Sequence, residues 1–156
     1  MRHLVSLTIA VFALAACSKP VAAPEASSSA VASSIAPASF KVQALTDADN
    51  DIQGCQVMLD QKEMGQVFIE DGVDTGAHGY IRIDGTKYRV DLTSSVQDEK
   101  GGVRVFADKT SDLTVTEKLK TGEAHEESDS VEQSGTITVT YKGVTQTIAV
   151  EGGTAC

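Results

Sequence analysis

The sequence predicts an all-β fold, a small antiparallel barrel or sandwich of about eight strands that follows a signal peptide and a disordered linker. From residue 55 onward apolar and polar side chains alternate with a period of two, which is the pattern of half-buried strands. Turn signals that contain glycine interrupt this alternation at short intervals. With four Phe, three Tyr and no Trp in 156 residues, we expect one small core.

The clearest local unit is a hairpin that turns at Asp84-Gly85. Asp-Gly between alternating strands favours a two-residue turn, because both central residues need positive φ. In the predicted register Ile83 faces Thr86, and Ile81 faces Tyr88. One face then carries Ile81, Ile83, Tyr88, Val90 and Leu92, and the other carries Arg82, Lys87, Arg89 and Asp91.

A second hairpin is predicted to turn at Lys142-Gly143, near the end of the chain. A two-residue loop there places Tyr141 opposite Val144 on the core side. The same register pairs Ile137 with Ile148 inside, and Thr138 with Thr147 and Thr140 with Thr145 outside. Four further strands are marked by apolar sets: Cys55, Val57 and Leu59; Val67 and Ile69; Val103, Val105 and Ala107; and Leu113, Val115 and Leu119.

Two cysteines, Cys55 and Cys156, stand at the start and the end of the predicted β-domain. An exported chain folds in an oxidising compartment, where such a pair normally forms a disulfide. A redox or metal-binding pair is the alternative, but neither a Cys-x-x-Cys spacing nor a neighbouring histidine accompanies it. We therefore predict a bond between Cys55 and Cys156.

The beginning of the chain has the organisation of an export signal. Met1-Arg2-His3 is a basic start, Leu4–Ala16 is hydrophobic, and Cys17 follows. The hydrophobic segment is shorter than the roughly 20 residues that span a bilayer, which argues against a retained transmembrane helix. Leu14-Ala15-Ala16-Cys17 resembles the lipobox of bacterial lipoproteins, with an ordinary secretory signal as the alternative. The resemblance implies cleavage before Cys17 and its acylation, for example with palmitate.

The same resemblance divides the chain into a signal peptide at 1–16, a lipidated tether at 17–39 and a single β-domain at 40–156. The tether is rich in Ser, Ala and Pro, so it has too little apolar surface to fold on its own. Ser18 after the cysteine implies sorting to the outer membrane. We expect the domain to lie in the periplasm or at the cell surface, held to the membrane by lipid.

The mature chain is strongly acidic. Removing residues 1–16 takes away Arg2 and no acidic residue, so the formal net charge changes from −9 to −10. This balance argues against nucleic acid as a partner, because phosphate backbones are bound by clusters of Lys and Arg. A long loop is predicted at 121–134, and its residues Glu123, Glu126, Glu127 and Asp129 are candidate contacts for a basic protein. A solvated loop without a partner is the alternative.

No catalytic pattern stands out, so we predict that the protein is not an enzyme and has no cofactor. His78 with Ser94 or Ser95 is the nearest approach to a hydrolase site, but no Gly-x-Ser-x-Gly turn accompanies it. His125 lies among acidic residues without the His-Glu-x-x-His spacing of zinc proteases. Paired carboxylates are a further catalytic pattern, and the sequence singles out no two acids for it.

No metal site is predicted either. Asp47, Asp49 and Asp51 have the spacing of the first three acids of a calcium loop. Ile52 stands where that loop requires glycine, and Met58 stands where it requires glutamate. A short helical turn or surface loop before residue 54 is the prediction for this segment.

The organisation of the chain resembles that of the membrane-bound inhibitors of c-type lysozyme. The shared features are a lipobox, a short tether, a small domain of about eight strands and cysteines at its two ends. The Ser-Gly-x-x-Tyr signature of that family is absent, since Ser134-Gly135-Thr136-Ile137-Thr138 ends in Thr, and its tryptophan is absent too. Three hypotheses follow: a structural or binding lipoprotein of unknown activity, an inhibitor of a cationic enzyme such as lysozyme, and a hydrolase with an unrecognised site.

Overall fold

A computed structural model describes residues 39–49, 52, 54–72 and 76–156. The predicted signal peptide, Cys17 and the tether up to residue 38 lie outside the described residues. Within the described part we find no helix long and apolar enough to cross a membrane. The described residues form nine strands and one 3₁₀ turn at Asp47–Asp49. The strands are β1 Val42–Gln43, β2 Gln56–Gln61, β3 Gly65–Asp71, β4 His78–Ile83, β5 Thr86–Asp98, β6 Gly101–Asp108, β7 Leu113–His125, β8 Ser130–Tyr141 and β9 Val144–Ala155.

Strands β2 to β9 form a closed eight-stranded antiparallel barrel. Each of them pairs with the next strand in the chain, and β9 pairs with β2 to complete the ring. The short strand β1 is an addition beside β4, with Val42 opposite Ile83. The all-β prediction is confirmed, and the closed ring decides between the two predicted forms in favour of a barrel. The short helical turn predicted before residue 54 is present at Asp47–Asp49.

Both predicted hairpins have the predicted registers. Ile83 lies opposite Thr86 across the first turn, and Tyr141 lies opposite Val144 across the second. The threonine pairs on the outer surface exchange hydrogen bonds, at 3.1 Å between Thr138 and Thr147 and 3.0 Å between Thr140 and Thr145. Both hairpin predictions are correct because the turn residues and the alternating strands that they join are close together in the sequence.

The prediction of a long acidic loop at 121–134 is wrong. Strand β7 continues to His125 and β8 begins at Ser130, so the connection is a tight turn. A bulge interrupts the β7–β8 register between Thr121 and Ala124. Cross-strand hydrogen bonding with a partner strand compensates for the polar composition, which by itself favours a loop.

The two ends of the barrel differ. At the first, which we call the tyrosine end, the hydroxyl groups of Tyr88 and Tyr141 are 2.8 Å apart, and the ring of Phe40 packs edge-on against Tyr141. The β4–β5 and β8–β9 turns lie at this end. At the opposite end, which we call the cavity end, lie the β5–β6 and β7–β8 turns.

The predicted disulfide between Cys55 and Cys156 is present. It joins the chain just before β2 to the chain just after β9, and these are the strands whose pairing closes the ring. Inside, the apolar core includes Leu59, Phe68 and Ile81, all fully buried. The covalent link therefore reinforces the seam of the barrel at its cavity end.

Replacing Cys55 and Cys156 together by Ser opens a loop whose ends are 101 residues apart. The chain-entropy model gives about 4.7 kcal/mol for a loop of about 100 residues, and losses of about 2–5 kcal/mol are typical. We expect the free energy of unfolding, measured by urea denaturation, to fall by an amount in that range. Cys17→Ser is the matched control, because it replaces a cysteine that takes no part in the disulfide. An unchanged denaturation midpoint in the double variant would contradict the prediction.

Candidate functional site

Three charged side chains lie inside the barrel, near its cavity end. Glu70 on β3 and Glu117 on β7 are fully buried, and Arg104 on β6 is 4% exposed. The strand registers fix their direction, because Glu70 lies opposite the buried Val57 and Arg104 lies opposite Glu117. Charged residues are almost never buried so completely unless they are paired, so this group is the strongest candidate for a functional site.

An aromatic layer lies between the charged group and the rest of the core. The rings of Phe68 and Phe106 meet edge to face with their centroids 5.4 Å apart. The guanidinium of Arg104 lies 5.2 Å from the centre of the Phe106 ring, at cation–π distance. Gly79 leaves room for Phe68, since a Cβ at residue 79 would come within 2.2 Å of the end of that ring. The layer fixes the depth at which Arg104 is held.

The charges in this group do not balance. Nη1 of Arg104 forms an ion pair with Oε2 of Glu70. The second carboxyl group, that of Glu117, has no cation of its own in the group, and neither of its oxygens meets a hydrogen-bond donor in the described residues. With both glutamates ionised, the group carries two negative charges against one positive charge.

A proton held by the carboxyl pair relieves this imbalance. Burial raises the pKa of Glu117 well above its ordinary value of 4.5, and the neighbouring Glu70 carboxyl raises it further. Burial also raises the pKa of Glu70, while the hydrogen bond from Glu117 and the charge of Arg104 act in the opposite direction. The proton therefore belongs mainly to Glu117, which donates it in a hydrogen bond to Glu70.

A cavity of about 120 Å³ adjoins the charged group. Besides Glu70, Arg104 and Glu117, its lining includes Gln97, Asp98, Thr121 and Gln133. Gly102 also lines it, and a Cβ at residue 102 would come within 2.4 Å of the carbonyl oxygen of Val96. The strands thus approach each other closely where the cavity forms, as glycine in barrel strands permits.

The acidic residues predicted as partner contacts lie at this same end. Glu123 is on β7, and Glu126, Glu127 and Asp129 are in or beside the β7–β8 turn, all of them exposed. The hairpin extends beyond the cavity, since Thr121 and Gln133 line it and four further residues of β7 follow. At about 3.3 Å per residue, the acidic tip projects about 13 Å past that level.

The other sequence candidates lie elsewhere and have other partners. His78 Nδ1 is 2.8 Å from Asp91 Oδ1, and Nη2 of Arg89 is 2.7 Å from His78 Nε2, on the outer surface. His125 Nε2 is 3.2 Å from an oxygen of Glu132 on the hairpin. Ser94 and Ser95, the serines considered for His78, are exposed residues of β5.

The calcium-type acids are used differently from a metal loop. The carboxylate of Asp49 accepts hydrogen bonds from Arg82 Nη2 at 2.7 Å and from the backbone N–H of Thr46 at 2.8 Å. These hydrogen bonds hold the pKa of Asp49 far below its ordinary value. Asp51 lies outside the described residues. Among those described, no three His, Cys, Asp or Glu side chains are grouped as metal ligands.

The sequence contains one signal for the site. In Leu113-x-Val115-x-Glu117-x-Leu119 the glutamate occupies the apolar phase of its strand. On β6 the signal is reversed, because the apolar set Val103, Val105 and Ala107 faces outward while Arg104 and Phe106 are buried. A polar residue in the inward phase of a strand therefore marks the site, and the alternation within one strand does not reveal its partners.

Comparisons of the chain with protein-family models, with curated proteins and with solved structures return no match.

The geometry of the carboxyl pair suits binding better than hydrolysis. Glycoside hydrolases hold two carboxyl groups about 5 Å apart or more, with the sugar between them. Glu70 and Glu117 are within hydrogen-bonding reach of each other, and both are fully buried. Unpaired acceptors beside a polar cavity are instead the arrangement that receives a donor from a ligand or from water.

Glu117→Gln tests the protonated state. Because the pKa of Glu117 is raised in the folded protein, its contribution to stability is complete below its unfolded pKa and is lost as the pH rises through the folded pKa. Between these two values the folded protein holds one more proton than the unfolded chain, so unfolding should become easier by up to about 1.4 kcal/mol per pH unit. Glutamine keeps the shape and a donor without titrating.

We therefore expect Glu117→Gln to gain stability relative to the wild type as the pH rises above about 4.5, the ordinary value for Glu117. The measurement is urea unfolding followed by circular dichroism across that range. Glu63→Gln makes the same charge change on the exposed β2–β3 turn and should follow the wild type. Parallel curves for Glu117→Gln and wild type would show that Glu117 is ionised when folded.

Proposed function

We propose that this protein is a lipid-anchored lipoprotein of the bacterial outer membrane, whose β-barrel is a non-enzymatic binding module for a basic partner. The observation that carries the binding role is the cavity at one end of the barrel, lined by two buried carboxyl groups of which Glu70 is ion-paired and Glu117 has no donor among the described residues. The formal net charge of −10 after removal of 1–16, derived above from the −9 of the full chain, favours encounter with a basic protein.

The position of Phe40, near the start of the described residues, supports this arrangement. Phe40 packs against Tyr141 at the tyrosine end, so the chain that leads back to Cys17 joins the barrel there. Strand β8 runs from Tyr141 to Ser130 at the cavity end, a length of 12 residues. At about 3.3 Å per residue, this separates the two ends by up to about 40 Å. The binding end is thus far along the barrel from the point of attachment.

Inhibition of a cationic envelope-degrading enzyme such as c-type lysozyme is the second candidate function. The acidic hairpin that carries Glu126, Glu127 and Asp129 favours it, because these exposed charges project from the cavity end. Complementary charge raises the rate of encounter between such proteins, and salt weakens the effect.

The anchor is tested by metabolic labelling with palmitate in a Gram-negative host. We expect the wild-type chain to incorporate label and to fractionate with the outer membrane. Cys17→Ser should lose both properties, because acylation requires that thiol. Cys55→Ser is the matched control and should keep the label. Absence of label from the wild-type protein would refute the anchor.

Lysozyme inhibition is tested with the purified Cys17→Ser chain in a cell-wall lysis assay. We expect inhibition at micromolar protein and low salt that weakens as salt is added, since the attraction is electrostatic. Replacing Glu126, Glu127 and Asp129 by their amides should lower the association rate. Full lysozyme activity at saturating protein would remove this second candidate and leave the binding role to another basic partner.

A further inference from the structure

We propose that the cavity beside Glu70, Arg104 and Glu117 binds the guanidinium or ammonium head of an organic cation in exchange for one proton of the carboxyl pair. The inference rests on the binding role proposed above and names the chemistry of its ligand. The source of the head group is either a side chain of a basic protein or a free amine.

The unpaired polar atoms around the cavity are mostly hydrogen-bond acceptors. Among the described residues, four buried acceptor oxygens have no partner: both of Glu117, that of Gln133, and the Glu70 oxygen that is not ion-paired with Arg104. Two buried donors beside them, Nε and Nη2 of Arg104, also have no partner. A buried acceptor without a partner destabilises the protein, because it has lost its hydrogen bonds to water. The group best suited to this cavity is therefore rich in N–H donors, which is the character of a guanidinium or an ammonium.

The buried group beside the cavity has more acidic than basic side chains. The charged residues of this group are Glu70 from β3, Arg104 from β6 and Glu117 from β7, and Asp98 at the end of β5 lines the same cavity. From β2 and β8 the residues opposite the two glutamates are the apolar Val57 and Ile137. Lys100, Lys118 and Lys120 belong to this end of the barrel, but all three are exposed. Arg104 thus faces two buried acids, and the excess charge inside the barrel is negative.

The cavity is large enough for one cationic head group. A water molecule occupies about 30 Å³ in the liquid, so a cavity of about 120 Å³ has room for a few waters or for one cationic head group. A planar guanidinium offers several N–H donors in one plane and is less strongly hydrated than an ammonium, which favours it in a buried site. We expect a guanidinium probe to bind more tightly than an ammonium probe.

The exchange conserves charge inside the barrel. Without the ligand, Glu117 holds the proton and donates it to Glu70. When the cation enters, that proton leaves for the solvent, Glu117 becomes a carboxylate, and the ligand N–H groups take over its two oxygens. Apart from the transfer of this proton from the Glu117 carboxyl group to the solvent or buffer, no covalent bond is made or broken. Binding should therefore release about one proton and strengthen by up to about tenfold per pH unit while Glu117 is protonated in the free protein.

The experiment is calorimetric titration of the purified Cys17→Ser chain with agmatine, which carries a guanidinium, and with cadaverine, which carries only ammonium groups. Titrations in phosphate and in a buffer of different ionisation enthalpy count the protons released. Glu117→Gln should weaken agmatine at least tenfold and abolish proton release. Glu63→Gln, with the same loss of charge at the tyrosine end, should bind like the parent.

A second readout does not depend on the folding of a variant. The infrared carbonyl band of a buried protonated carboxyl group should be present in the free parent protein and should disappear when agmatine is added. A band unchanged by saturating agmatine overturns the exchange. Failure of both amines to bind overturns the cavity as a cation site.

Competition separates the two sources of the cation and the two proposals. If agmatine displaces a basic protein such as lysozyme, a side chain of that protein occupies the cavity. If agmatine binds but does not compete, the ligand is a free amine, which supports the inference and contradicts protein capture at this site. If a basic protein binds while neither amine does, the binding role stands and the cavity inference fails.

Discussion

Closure of the barrel by the β2–β9 pairing is the constraint on which the rest of this structure depends. A sheet with free edges allows a polar side chain to reach solvent around its rim, whereas a closed ring commits every second residue to the interior. Glu70, Arg104 and Glu117 occupy such positions on three different strands. The disulfide from Cys55 to Cys156 lies beside the closing pair of strands. The same closure that builds the core also forces a carboxyl pair into it.

The barrel divides its interior between two tasks. Toward the tyrosine end the lumen is filled by apolar and aromatic side chains, with Tyr88 and Tyr141 satisfying each other through their hydroxyl groups. Beyond the Phe68–Phe106 layer, charge and empty volume replace packing. The filled half supplies stability and the other half leaves a cavity, and small barrels commonly combine a packed core with such a cavity.

Local sequence patterns are sufficient for the all-β class and for two hairpins, but they do not decide between a barrel and a sandwich and do not reveal the site. The turns at Asp84-Gly85 and Lys142-Gly143 specify their hairpins because the pairing residues are a few positions apart. Glu70 and Glu117 are 47 positions apart, and only the register accumulated over β3 to β7 brings them together. On β6 the outward-facing residues are more apolar than the inward-facing ones, so the sequence pattern does not predict that Arg104 points inward. The acidic hairpin was misjudged as a loop because its partner strand supplies what its composition lacks.

The energetics of the buried group connect the fold to the proposed binding. Taking an ion out of water costs several kcal/mol, and a well-packed apolar core of the same volume is often at least as stable as a buried ion pair. Arg104 offsets the charge of Glu70 and leaves that of Glu117 uncompensated. In the empty barrel a proton is the smallest cation that removes this penalty, but it supplies one donor to a group in which both oxygens of Glu117 and that of Gln133 have no donor of their own among the described residues. An organic cation supplies the charge and several donors together. The protonated state without a ligand thus leaves more buried oxygens without a donor than the proposed complex would. We infer that this difference would drive binding of the cation.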